Sequence, residues 1–334
     1  MKSKRYKKIT SSHWGAFEAI IENGTLISTN PFQDDLNPNN ISKLIPKAVY
    51  HKSRIKKPSI RKGWLNNIQD RSKNLRGNDE FQEVPWDEAI DIAANEIKRV
   101  KEKFGNGSIY GGSYGWSSAG KFHHAQTQLQ RFLNSIGGYV GAFGSYSTAA
   151  AQVIIPHILG MNFLHLMFNF QNTWPTIEEN TKNILMFGGI NPNNSKVSMG
   201  GSTRHENDDW FRKFRDKSIN LINISPQKID APMGSNWLPI IPGTDTAFML
   251  ALAYELETEG LIDRDFLNSH TVGYEKFKKY LLGEEDNLPK NAEWAEKICG
   301  ISKNEIKSIA KKIAEERTLI TVAWSLQRAQ NGEQ

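Results

Sequence analysis

Short apolar runs, each followed at once by a loop of small or hydrogen-bonding residues, constrain this chain more than anything else in it. SIY (108–110) leads into GGSYGWSSAG, NILMF (183–187) into GGINPNN, INLINI (219–224) into SPQ, and TLITVAW (318–324) into SLQR. Uninterrupted apolar runs of this length read as strands buried on both faces. Between them lie segments with helical spacing. Residues 87–104 place Ile90, Ala93, Ile97, Val100 and Phe104 on one stripe, with Asp87 as the expected cap and Gly105 as the stop. A second helix is expected at about 121–136, ending at Gly137-Gly138, and a third from Ser147 through AAAQVIIPHIL. Another spans 246–259, and Ser302 with Glu305 forms a capping box for a helix carrying Ile306, Ile309 and Ile313. Helices alternating with buried strands predict an α/β fold with mostly parallel, doubly wound sheets.

The first part of the chain differs. Asn23-Gly24 between AFEAII and TLIST predicts a hairpin over 12–30, hence a small antiparallel β region. Residues 31–82 show little periodicity and read as an irregular wrap. The expected divisions are 1–82 as hairpin and irregular wrap, 83–175 as an α/β segment, and 176–334 as an α/β dinucleotide-binding-like segment.

Composition narrows the function. The 42 Lys and Arg against 36 Asp and Glu leave a net charge of +6, a mild excess partly held by the run Lys2, Lys4, Arg5, Lys7 and Lys8. Such a run reads as a solvated arm, and nucleic acid is not an expected partner. No run of about 18 uncharged apolar residues, as a membrane span needs, occurs. The N-terminus MKSKRYKKITSSHWG lacks a secretory apolar stretch and a twin-Arg pair. As written, the chain is expected in the cytoplasm, or in the periplasm if a leader was removed. The single cysteine, Cys299, excludes an internal disulfide, a cysteine zinc site and an iron–sulfur cluster. Redox chemistry here would need a bound cofactor. No GxSxG elbow, P-loop or dinucleotide fingerprint occurs, and the eight His are scattered.

In open α/β sheets ligands bind beyond the carboxyl ends of the strands, which selects the loops 111–120, 188–194, 225–228 and the stretch after Val322. Several such loops on one edge suit a long phosphate-bearing cofactor.

At GSYGW (112–116) and GSYSTAAAQVIIPH (144–157) the sequence resembles the dimethyl sulfoxide reductase family of molybdopterin enzymes. It is most similar to the cluster-free branch of biotin sulfoxide, trimethylamine N-oxide and dimethyl sulfoxide reductases. SSHWGAF, RKGWL, LRGNDEFQEVPWDEA, NTWP, PGTD and AWSLQRAQNGEQ extend the resemblance along the chain. It implies a bis(molybdopterin guanine dinucleotide) molybdenum cofactor without an iron–sulfur cluster. It also implies a small S-oxide or N-oxide substrate and an electron-donor protein of cytochrome or thiol type. Ser147 matches the family's serine ligand to molybdenum, and Ser is equally suited to cap the helix that follows. Tyr114 and Trp116 match residues facing the metal, where their O–H and N–H would polarise a substrate oxygen; otherwise they are packing aromatics. Ser113, Gly115, Ser117, Ser118 and Thr148 fall in the same cofactor-facing loops. So do Asn191, Pro192, Ser225, Pro226, Gly243 and Thr244. Asp245 would accept from guanine N–H groups, or cap the helix after it. Trp324, Ser325 and Arg328 match the last cofactor-contacting strand end, Arg328 as a phosphate partner. The family commonly reads DYSTG, where this chain has Ser145 and Ala149, and it has Ala323 where Gly is usual. Family members are roughly twice as long or more. The resemblance therefore implies an amino-terminal fragment, either of an active reductase or of a non-catalytic remnant, and the chain alone is expected to be inert.

Overall fold

The computed structural model describes residues 4–66, 77–113, 124–199 and 201–334. The chain divides into two compact units, one of residues 1–143 with 197–204, the other of 144–196 with 205–334. These boundaries differ from the 82/83 and 175/176 divisions expected from sequence, for two physical reasons. Residues 197–204 return to the N-terminal hairpin, where Ser198 N donates to His13 O (2.9 Å) and Ala16 N to Ser202 O (2.8 Å). The segment from 144 is held by hydrogen bonds to the far C-terminal end of the chain.

In the first unit, β1 (Arg5–Ser12), β2 (Gly15–Glu22) and β3 (Thr25–Pro31) form an antiparallel sheet in that order. The β2–β3 turn is the expected Asn23-Gly24, both at positive φ (51° and 81°), as a tight hairpin turn demands. The basic run is not a free arm: Arg5, Lys7 and Lys8 lie in β1, paired with Glu22, Ile20 and Ala19. An exposed edge strand carrying Lys and Arg is a common protection against further strand pairing. The wrap contains α1 (Ile45–Val49), β4 (Ser59–Arg61), α2 (Lys62–Asn66) and β5 (Phe81–Glu83), with β4 and β5 antiparallel. Next comes α3 (Trp86–Phe104), which starts after Pro85 without a side-chain cap; Asp87 sits in the first turn instead, and Gly105 ends the helix at φ 74°. No residue of α3 is buried. SIY is not a strand: residues 106–108 form a 3-10 turn, and only Tyr110 pairs, in one parallel bridge to Val140. Then α4 (Ala125–Ser135) completes this unit.

The second unit is the α/β layer structure expected. It opens with α5 (Ala149–Leu159), α6 (Phe163–Asn169) and α7 (Trp174–Asn180), then β6 (Asn183–Phe187). After α8 (Asn207–Asp216) come β7 (Asn220–Ser225) and β8 (Asn236–Pro239). Five helices follow: α9 (Asp245–Thr258), α10 (Arg264–His270), α11 (Tyr274–Leu282), α12 (Ala292–Cys299) and α13 (Lys303–Glu315). The last strand is β9 (Thr318–Val322). All pairs in the sheet are parallel, in the order β8-β7-β6-β9. Alternate strand residues feed two cores. Leu185, Phe187, Ile222 and Ile224 pack with Phe248, Ala251, Ala295, Ile306 and Ile309 of α9, α12 and α13. Ile184, Met186 and Leu221 pack with Ile177, Phe211 and Phe214 of α7 and α8. Phe248 is fully buried and meets Phe187 edge-on at 5.8 Å; truncating either would cost about 3–5 kcal/mol. Cys299 closes α12, buried beside Gly300 at φ 77°, and burial pushes its thiol pKa up, as suits a packing residue. The expected capping box is half realised: Ser302 Oγ accepts from Glu305 N at 3.2 Å. Among the described residues no single helix is long and apolar enough to cross a membrane.

Candidate cofactor cleft

Reversal of strand order puts a crevice where β6 meets β9 while β7 and β8 continue on the other side. A cleft of about 280 Å³ lies there, at the carboxyl ends of the strands. Gly188 after β6, Pro226, Gln227 and Asp230 after β7, Gly243 before α9, Asp245 at the start of α9, and Ser325 after β9 contribute to its wall. Gly188 has φ +79°, and a methyl group on it would come within 2.6 Å of both Ala323 Cβ and Leu326 Cδ1. Only glycine lets the two strand ends approach this closely.

Two carboxylates face the cleft. Asp245 occupies the first turn of α9, behind Thr244 at the cap position, and burial pushes its carboxyl pKa up. Asp230 accepts from Asn191 Nδ2 at 3.0 Å and its carbonyl accepts from Ile190 N at 2.8 Å, so it fastens the loop after β6 to the loop after β7. No cationic side chain is in the cleft wall among the described residues. Such a site takes N–H and O–H donors rather than a bare phosphate.

Of the residues expected from sequence, the structure brings Pro226, Gly243, Asp245 and Ser325 together in this wall. Ser225 is fully buried, and its Oγ accepts from Asn223 Nδ2 (2.7 Å) and donates to Gln227 O (3.0 Å), which shapes the loop from beneath. Asn191 spends its side chain within and between the loops, Oδ1 accepting from Asn193 N while Nδ2 reaches Asp230, and Pro192 O accepts from Ser195 Oγ. Thr244 Oγ1 donates to Ile241 O at 2.6 Å. Trp324 and Arg328 are exposed, and Arg328 makes no ion pair among the described residues. Thr148 is buried, and its Oγ1 accepts from Gln152 Nε2 at 2.6 Å, so it does not cap α5 through its side chain. Ser147 does not cap α5 either: the cap position is Thr148, while Ser147 is exposed and its Oγ makes no hydrogen bond among the described residues. Ser113 is exposed in the first unit, and Tyr114, Gly115, Trp116, Ser117 and Ser118 lie outside the described residues. Gly188 lies in the expected loop 188–194, and Asp230 lies outside the expected loops. Asp230 carries no motif, and only the fold brings it opposite Asn191.

Comparison with known proteins decides the lineage. Residues 54–334 match the molybdopterin oxidoreductase family, and residues 10–50 match the molybdopterin oxidoreductase N-terminal domain. The chain belongs to the molybdopterin oxidoreductase family. It is 38% identical over 328 residues to a trimethylamine-N-oxide reductase of Haemophilus influenzae, covering 98% of this chain and 39% of that protein. It is 39% identical over 310 residues to a biotin sulfoxide reductase of Cereibacter sphaeroides, covering 92% of this chain and 41% of that one. The chain thus spans about two fifths of the length of these relatives. A solved structure of acetylene hydratase from Pelobacter acetylenicus shares the fold, with a TM-score of 0.57 at 20% identity, over 96% of this chain and 41% of that one. Membership of the molybdopterin oxidoreductases implies a molybdenum–molybdopterin cofactor, and the cleft supplies a fit for part of one. Its two carboxylates offer acceptors to N–H and O–H groups.

Proposed function

We propose that the protein to which this chain contributes reduces S-oxides or N-oxides at a bis(molybdopterin guanine dinucleotide) molybdenum centre. The relatives aligned with nearly the whole chain carry the reading, because their names join trimethylamine N-oxide and biotin sulfoxide to this one sequence. When bound, molybdenum would supply the two electrons that reduce the S-oxide or N-oxide and would take up its oxygen atom, a donor protein returning the two electrons and two protons carrying the oxygen off as water. The chain's own part is binding and positioning. Asp245, desolvated and at a helix start, would accept from guanine N–H groups, and Asp230 from ribose hydroxyls. Arg328, without an ion pair, would hold phosphate. Ser147 presents an exposed oxygen whose lone pairs no neighbour uses, so as an alkoxide it would ligate the metal.

The protein purified from a host that makes molybdenum cofactor tests this. Molybdenum by mass spectrometry and guanine nucleotide after acid release are expected in a ratio near one to two. Reduced methyl viologen should be oxidised with trimethylamine N-oxide, dimethyl sulfoxide or biotin sulfoxide by the complete protein, and not by Ser147→Ala. Cofactor without guanine nucleotide overturns the dinucleotide assignment, and wild-type rates in Ser147→Ala overturn the ligand.

A further inference from the structure

One carboxamide joins the Ser147 turn to the end of β9. Gln327 Nε2 donates to Ser147 O at 2.8 Å and to Trp324 O at 2.9 Å, while Gln327 Oε1 accepts from Ala151 N at 3.4 Å. Two carbonyls on one side and an N–H on the other fix which end of the amide is which. The contact spans 180 residues of sequence to Ser147. It also fills a gap that local chemistry leaves open. Thr148 at the cap position gives its Oγ1 to Gln152, so the free N–H of Ala151 in the first turn of α5 is met from outside the helix. Within the turn, Ser145 supplies the remaining supports: its Oγ accepts from Ser147 N at 3.1 Å and its carbonyl from Ala149 N at 2.8 Å. The backbone of Ser147 is therefore held on both sides while its Oγ stays free.

We infer that Gln327 is a positioning residue for Ser147. It fixes the height of the serine oxygen against the β9 end of the cleft and caps α5 in the same stroke. The inference rests on the reading of Ser147 as the metal ligand. A side chain that only stiffened α5 would need its oxygen alone. A side chain that positions Ser147 needs its nitrogen as well.

Gln327→Glu separates the two roles. It keeps an acceptor for Ala151 N, and its charge suits a helix start, but it faces two carbonyl oxygens with a third oxygen. Gln327→Ala removes both contacts. X-ray absorption at the molybdenum edge of the purified wild-type protein, both variants and Ser147→Ala reads the ligand directly. The expected result is loss of the single Mo–O path to the serine in Gln327→Glu and Gln327→Ala, as in Ser147→Ala, with sulfur scattering retained. In metal-free protein, amide exchange at Ala151 should quicken by about tenfold or more in Gln327→Ala and stay near wild type in Gln327→Glu. Retention of the Mo–O path in both Gln327 variants, with loss in Ser147→Ala, overturns the positioning role and leaves the ligand standing. Retention in Ser147→Ala, or wild-type protein without molybdenum, overturns the ligand reading and the inference with it. Unchanged exchange at Ala151 in Gln327→Ala overturns the cap.

Discussion

Asn191 Nδ2 donates to Asp230 Oδ1 at 3.0 Å, closing a bridge between the loops that follow β6 and β7. The bridge sets the floor of the cleft, because Asp230 lines it and Asn191 does not. Asp230→Ala should lower stability in urea by about 1–2 kcal/mol, the range for a partly exposed hydrogen bond to a charge. Guanine nucleotide recovered with the protein should fall by about tenfold, since loop order and one acceptor go together. Asn191→Asp should be worse than Asp230→Ala, because it sets two carboxylates face to face. Equal nucleotide recovery in all three proteins would remove Asp230 from the site.

Gly188→Ala tests the close approach of the β6 and β9 ends. The added methyl meets Ala323 and Leu326 at 2.6 Å, on a backbone at φ +79°. Strain and overpacking together should cost about 2–4 kcal/mol in urea unfolding. Pairing Gly188→Ala with Ala323→Gly removes one of the two clashes and should recover part of the loss, leaving the backbone strain. No recovery in the double variant would assign the whole cost to φ.

What the sequence showed and what it hid follow from the range of the interactions. Strands β6 and β7 are legible because parallel strands buried on two faces are mostly apolar, as NILMF is; β9 shows the same pattern although it lies at the sheet edge with Ile320 and Val322 exposed. The cleft loops were legible by position, since they follow those strands. Asp230 and Gln327 were not, because each acts on a residue 39 or 180 positions away and neither needs a local pattern. Ser225 stands after a strand as the sequence indicates, but the bonds of its buried Oγ to Asn223 and Gln227 carry no sequence signal. β1 was hidden by its charges, which an edge strand tolerates and a central one does not. The 87–104 stripe has the right period, yet Ile90 and Phe104 are 57% exposed each, so amphipathicity announced a helix without naming its partner.

Glu257 governs behaviour in acid. Its carboxylate is buried and gathers Arg264 Nη2 at 2.6 Å, Lys278 Nζ at 2.7 Å and Tyr274 Oη at 2.6 Å, tying α9 to α10 and α11. Burial alone would raise its pKa, but the hydrogen bonds from Lys278, Tyr274 and Arg264 outweigh this and lower it from 4.5 to about 2. A depressed folded-state pKa means stability present above pH 4.5 and lost as pH falls toward 2. The loss should be of the order of 3 kcal/mol across that window. Glu257→Gln should show a similar deficit at pH 7, where two cations lose their counter-charge, and a flatter acid limb. An acid limb as steep as wild type in Glu257→Gln would place the sensitivity elsewhere.

Asp245 should trade stability for recognition. Its carboxyl pKa is raised, chiefly by burial, so the charged form is the disfavoured one in the folded state. A raised folded-state pKa gives stability that is present in acid and lost as pH rises through it. Asp245→Asn removes that penalty while keeping shape and an oxygen at the same place. The variant should therefore melt higher than wild type at pH 7, by up to about 2 °C given the partial exposure of the group. The two proteins should converge near pH 3, where both side chains are neutral. Cofactor retention should move the other way, because an amide presents one acceptor and one donor where guanine offers two N–H donors side by side. Melting curves at the two pH values, read beside guanine nucleotide recovered per protein, check both halves. A variant that melts lower at pH 7 and holds nucleotide as well as wild type would make Asp245 a helix-start residue and nothing more.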